Sequence, residues 1–166
     1  MSTLLEKPIS VNRILATSID HAKAIEDPAR AKIVQMLYNK NLNAEQITLQ
    51  LKKQGHKKAL TTVRHHLDIL KESGLIEIVR IEESRGAIIK FYGTSTKLLD
   101  YHTPKDFDEK YSGLIKSTSN KLEKIVNSMS KKTAKTRRSD TKHEFNQYLI
   151  MEIVNRAMTN VLEGKN

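Results

Sequence analysis

Apolar residues along this chain recur mostly at helical spacing, and one stretch alternates instead. Ile14, Leu15, Ile19, Ala22 and Ile25 predict a first helix ending near Glu26, while residues 1–12 carry no pattern. Asp27-Pro28-Ala29-Arg30 reads as an N-cap followed by proline at the first helical position, where its missing N–H is not needed. The second helix that follows presents Ile33, Val34, Met36, Leu37 and Tyr38. After a polar break from Asn39 to Asn43, Asn43 can cap a third helix. Glu45 then lies in its favourable first turn and Ile47, Leu49 and Leu51 face inward, until Gln54-Gly55-His56 ends it.

The stretch over residues 60–73 organises the rest. Leu60, Val63, Leu67 and Leu70 form one apolar stripe, and Thr61, Arg64, His65 and Asp68 share the opposite face. Gly74 supplies a C-terminal stop. Ile76, Ile78 and Arg80 then alternate with Glu77, Val79 and Ile81, residues 82–86 turn, and Ala87 to Tyr92 return. This predicts a β-hairpin with Gly86 at positive φ and Arg85 at its tip.

Farther on, Thr103-Pro104 predicts the cap of a long helix reaching about Met129, with Ile115, Thr118, Leu122, Ile125 and Met129 at seam spacing. Such a helix would be roughly 39 Å long. Residues 131–142 hold six cations against one acid, with Ala134 their only apolar residue, and read as a basic linker. A last helix over about 142–162 carries an apolar band too broad for an exposed monomeric helix. We therefore expect a homodimer interface built from Leu122, Ile125, Met129, Leu149, Ile153, Val154, Met158 and Val161. The competing arrangement is an antiparallel hairpin of these two helices within one chain.

Composition narrows the function. At 166 residues, with 38% hydrophobic and 5% aromatic content and no Trp, the chain can build a modest aliphatic core. Its net charge of +10 favours a polyanionic partner, nucleic acid before an anionic membrane surface. From Gln46 to Leu67 there is no acid, whereas Lys52, Lys53, Lys57, Lys58 and Arg64 all lie there. Cations gathered beside a helix with base-reading side chains are the footprint of a double-stranded DNA partner. Thr61, Thr62, Arg64 and His65 are thus candidates for base contacts, and Lys57, Lys58, Arg85 and Lys90 for phosphate or minor-groove contacts.

Other chemistries find little purchase. Without cysteine there are no disulfides, thiolate metal sites or cysteine nucleophiles. His65 and His66 are adjacent on a helix and point about 100° apart, so they cannot chelate one ion. No Gly-rich phosphate loop or nucleophile-base pair points to an enzyme or a cofactor. The N-terminus lacks a signal pattern and no run approaches ~18 apolar residues, so the expected location is the cytoplasm, with no membrane partner.

Taken together, Asp27-Pro28-Ala29-Arg30 with Ile33 and Leu37, the run Thr62-Val63-Arg64-His65-His66-Leu67-Asp68-Ile69-Leu70-Lys71-Glu72-Ser73-Gly74-Leu75-Ile76, and the hairpin resemble an ArsR-type winged helix-turn-helix regulator over about residues 15–95. The lysine-rich, cysteine-free character is similar to archaeal members. The resemblance implies a homodimeric, sequence-specific transcriptional regulator with the 60–73 helix in the major groove and residues 82–86 as the wing. Metal-sensing members carry paired cysteines where this chain has Ala44-Glu45-Gln46-Ile47-Thr48-Leu49. Asp100-Tyr101-His102 matches half of their other motif, but no ligand follows near Ser112 and Gly113. The expected fold is mainly α with a small β-hairpin wing: a winged helix-turn-helix domain over 13–100, then a helical dimerisation region over 101–166. An architectural protein coating DNA without sequence preference is the alternative function.

Overall fold

The computed structural model describes residues 17–133 and 141–164. Helix α1 (Ile19–Ile25) begins at Ser18, whose Oγ accepts from the His21 amide at 3.0 Å. Ile14 and Leu15 lie outside the described residues. Contrary to the expected stripe, Ile19 and Ala22 are exposed; Ala24 and Ile25 make the contact with the core, because only the last turn of α1 reaches it. Helix α2 (Pro28–Leu37) is capped by Asp27, whose Oδ1 accepts from Ala29 N at 2.7 Å and Arg30 N at 3.3 Å. Arg30 reaches back to the Ala24 and Lys23 carbonyls, fastening α1 to the start of α2.

The polar break conceals strand β1 (Leu42–Asn43), which is too short to show alternation. Asn43 then opens helix α3 (Ala44–Lys53) with a capping box: its side chain accepts from Gln46 N at 2.9 Å, and its own N–H donates to Gln46 Oε1 at 3.0 Å. Ile47 and Leu51 are fully buried, but Leu49 is 57% exposed, against expectation. Two residues along a helix is about 200° of rotation, which puts Leu49 opposite Ile47.

Helix α4 (Leu60–Glu72) buries Val63, Leu67 and Leu70 completely, with Leu60 half-buried. Gly74 adopts φ +78° while Leu75 N bonds back to Leu70 O at 3.0 Å, turning Leu75 and Ile76 into the core. Strands β2 (Glu77–Ser84) and β3 (Ala87–Gly93) follow, and the antiparallel sheet runs β1-β3-β2. The turn is tighter than the expected 82–86. Ser84 pairs with Ala87, leaving Arg85 (φ 51°) and Gly86 (φ 76°) as a two-residue loop with both positive φ values of a type I′ turn.

Alternation in β2 also breaks. Ile78 pairs with Tyr92 and Arg80 with Phe91, so Val79 is an extra, bulged residue. A Cβ on Gly93 would stand 2.9 Å from Val79 Cγ1, so glycine there makes room for the bulge. Beyond it, the Arg80 guanidinium lies 3.9 Å from the Phe91 ring centroid and 3.1 Å from Glu82, covering one face of the hairpin.

The core of α2, α3, α4, Leu75, Ile76 and Tyr92 belongs to one compact unit, residues 17–101. Helices α5 (Phe107–Thr133) and α6 (Thr141–Leu162) belong to a second. Helix α5 starts later than Thr103-Pro104 suggested. Phe107 N bonds to Pro104 O at 3.2 Å in a preceding turn, and regular bonding begins with Lys110 N to Asp106 O at 2.9 Å. It also ends later, so Lys131 and Lys132 are helical rather than part of a linker. Residues 134–140 of that expected linker lie outside the described residues.

Candidate nucleic-acid interface

Helix α3, a turn and helix α4 make the helix-turn-helix, and the turn is closed by backbone bonds. Gly55 at φ +85° ends α3, and His56 N bonds to Leu51 O at 2.9 Å. Exposed Lys57 and Lys58 follow directly. Helix α4 begins at Ala59 without a side-chain cap, so the N–H groups of its first turn remain available as donors beside these two lysines.

The buried stripe of α4 fixes what its other face presents. Thr61, Arg64, His65 and Asp68 are exposed together, and Thr62 is half-buried at the border. Arg64 Nη2 lies 3.9 Å from Glu45 Oε1 in the first turn of α3, while Asp68 lies 3.7 Å from Lys71. Arg64, Glu45, Asp68, Lys90 and Tyr92 line a cleft of about 560 Å3 between α3, α4 and strand β3. Two cations and two carboxylates therefore share one notch beside the wing. Burial there raises the Tyr92 phenol pKa and the Asp68 charge adds to the shift, with Arg64 opposing.

The structure thus brings Arg64 and Lys90 into one cleft, sets Thr61 and His65 on the same helix face, and holds Arg85 at the wing tip. Sequence reasoning missed Glu45 as a neighbour of Arg64. The acid-free run from Gln46 to Leu67 carried a signal, since Glu45 and Asp68 are the acids that bracket it.

His66 points the other way. It is 6% exposed, and neither ring nitrogen has a hydrogen-bond partner. Burial lowers its pKa; Asp27 opposes the shift, and the cations Arg30 and Lys58, with His65, add to it. Burial pushes the Asp27 carboxyl up, but the amides of Ala29 and Arg30, aided by His66 and the Arg30 charge, hold it below its ordinary value.

In the C-terminal unit, Leu122, Met129, Leu149 and Val154 are half-buried, and Ile125, Ile153, Met158 and Val161 are exposed. No helix among the described residues is long and apolar enough to cross a membrane. Among the same residues no group of three or more His, Asp or Glu side chains is gathered to hold a metal ion.

A helix-turn-helix followed by a two-stranded hairpin, with the second helix turned outward, is a winged-helix DNA-binding domain. Residues 27–77 match the family described as bacterial regulatory protein, arsR family. The chain therefore carries an ArsR-type winged helix-turn-helix domain and is a DNA-binding transcriptional regulator, with double-stranded DNA as its partner. No curated protein matches the chain.

Proposed function

We propose that the protein is a homodimer that reads a specific DNA sequence with α4 in the major groove and the Arg85 tip near the minor groove. The observation that carries this reading is the outward face of α4. Its donors are free of the core, while Val63, Leu67 and Leu70 on the opposite side hold the helix rigidly. Arg64 and His65 contact base edges, Arg64 pairing with guanine O6 and N7, and Thr61 and Thr62 divide between bases and phosphates. Lys57, Lys58 and Lys90 position the duplex, aided by the uncapped first turn of α4.

The dimer is supported by apolar residues of α5 and α6 that their own chain leaves exposed, Ile125, Ile153, Met158 and Val161 among them. In a two-fold dimer the recognition helices would be spaced about 34 Å apart, one turn of DNA. Selection from a randomised duplex library tests the reading. Enrichment of an inverted repeat with half-sites about 10 base pairs apart is expected. Retention without enrichment, lost steeply as salt rises, would instead mean phosphate-driven coating of DNA.

A further inference from the structure

The acid-free run of the DNA-binding unit is bracketed by Glu45 at the start of α3 and Asp68 within α4, far apart in sequence, yet both line the cleft that holds Arg64. Asp68 has Lys71 as a partner, whereas Glu45 faces Arg64 at 3.9 Å. Both members of the Glu45–Arg64 pair are more than half exposed, at 64% and 59%. Such a pair contributes little to folding; the first-turn position of Glu45 favours α3, but it also sets an acid on the face that meets a polyanion.

The position of Glu45 is firmly set. Its backbone is that of the second residue of α3, inside the capping box formed by Asn43 and Gln46, and the preceding β1 residues Leu42 and Asn43 pair with Tyr92 and Phe91 of β3. A carboxylate held there does two things to Arg64. At 3.9 Å it attracts one edge of the guanidinium without a hydrogen bond, leaving the N–H groups for an outside acceptor. It also repels any phosphate that approaches the same edge, which disfavours the contact Arg64 would otherwise make on every DNA sequence.

We propose that Glu45 is a positioning and specificity-determining residue, which holds Arg64 off the phosphates and directs it to a base edge. This rests on the sequence-specific reading of α4 above. Glu45 lowers affinity for DNA in general and increases discrimination between the cognate site and other sequences.

The test compares wild type, Glu45→Gln, Arg64→Ala and the double variant on the selected site and on a random duplex, from 50 to 200 mM salt. Glu45→Gln should bind random DNA more tightly and lose discrimination. Its salt dependence on random DNA should steepen by about one phosphate contact, roughly a 3.5-fold larger loss of affinity over that range. In the Arg64→Ala background the Glu45→Gln change should leave discrimination unaltered, because the residue acts through Arg64. An unchanged unfolding midpoint would exclude a merely structural effect.

A wild type that selects no sequence would overturn the reading of α4 and this role with it. A wild type that selects a site, with discrimination and salt slope unchanged in Glu45→Gln, would overturn the role of Glu45 alone. An equal loss of discrimination with and without Arg64 would also overturn it, since Glu45 would then be reading a base itself.

Discussion

In the winged unit Ile33, Val34, Ile47, Leu51, Val63, Leu67 and Leu70 are removed from solvent completely, whereas in α5 and α6 Ile125, Ile153, Met158 and Val161 remain 42, 45, 49 and 64% exposed. Among the side chains described from His102 onward, that is residues 102–129 and 144–164, none is buried. Both regions use aliphatic residues at helical spacing, so the difference lies in what each helix finds to pack against. Three short helices and a sheet can enclose one another. A helix of 27 residues, roughly 40 Å long, presents a stripe of which Ile125 remains exposed. Helical periodicity therefore specifies that a stripe will be covered and leaves open whether the cover comes from the same chain.

The sharpest way to break that contrast is to remove a side chain from each region. Leu67→Ala opens a cavity in the fully enclosed core and should reduce unfolding free energy by about 2–5 kcal/mol, read by urea denaturation. Ile153→Ala should barely change the stability of the winged unit in the same measurement. On the proposed dimer, Ile153→Glu combined with Met158→Glu should weaken self-association by about tenfold to a hundredfold. Sedimentation across a concentration series would detect this, and an unchanged mass at every concentration would contradict the role assigned to these helices.

A second pair sharpens the division within the winged unit itself. Arg64→Ala should weaken cognate binding by ~1–3 kcal/mol and relax preference at one base pair, whereas Lys57→Ala should weaken cognate and random DNA alike and flatten the salt dependence by about one contact. Equal losses on both duplexes for both variants would remove the distinction between base-reading and phosphate-holding side chains.

The smallest effect concerns the buried face of α4. Burial lowers the folded-state pKa of His66 below its ordinary 6.5, so the unfolded chain takes up this proton first as pH falls. Stability from this group is complete above pH 6.5 and declines below it until the folded pKa is reached. Asp27, lowered from 3.8, adds a separate loss at more acid pH, as its carboxylate is protonated and its bonds to Ala29 and Arg30 weaken. Thermal unfolding of His66→Leu should show a shallower decline just below pH 6.5 than wild type, with the lower window retained. Parallel profiles in both windows would show that the buried ring does not contribute.

Much of the winged unit was legible before any coordinates. Pro28 behind an Asp cap, Asn43 ahead of Gln46, and Gly74 behind the 60–73 stripe are local signals, and local hydrogen bonds or backbone dihedrals enforce each of them. The expectations that failed depended on something beyond a few neighbouring residues. Strand β1 is only two residues long and exists because β3 is there to pair with it. The bulge at Val79 depends on Gly93 across the sheet. Leu49 is hydrophobic, yet its angular position on α3 faces it outward.

The order of the helices and the hairpin, the stripe that anchors α4, and the donors on its other face follow from the sequence alone, because helical period and caps act over four residues or fewer. That Glu45 stands beside Arg64, and that Tyr92 and Lys90 close the same cleft, follows from packing alone. Those neighbours come from separate elements, and their meeting depends on how α3, α4 and the sheet pack around a shared core.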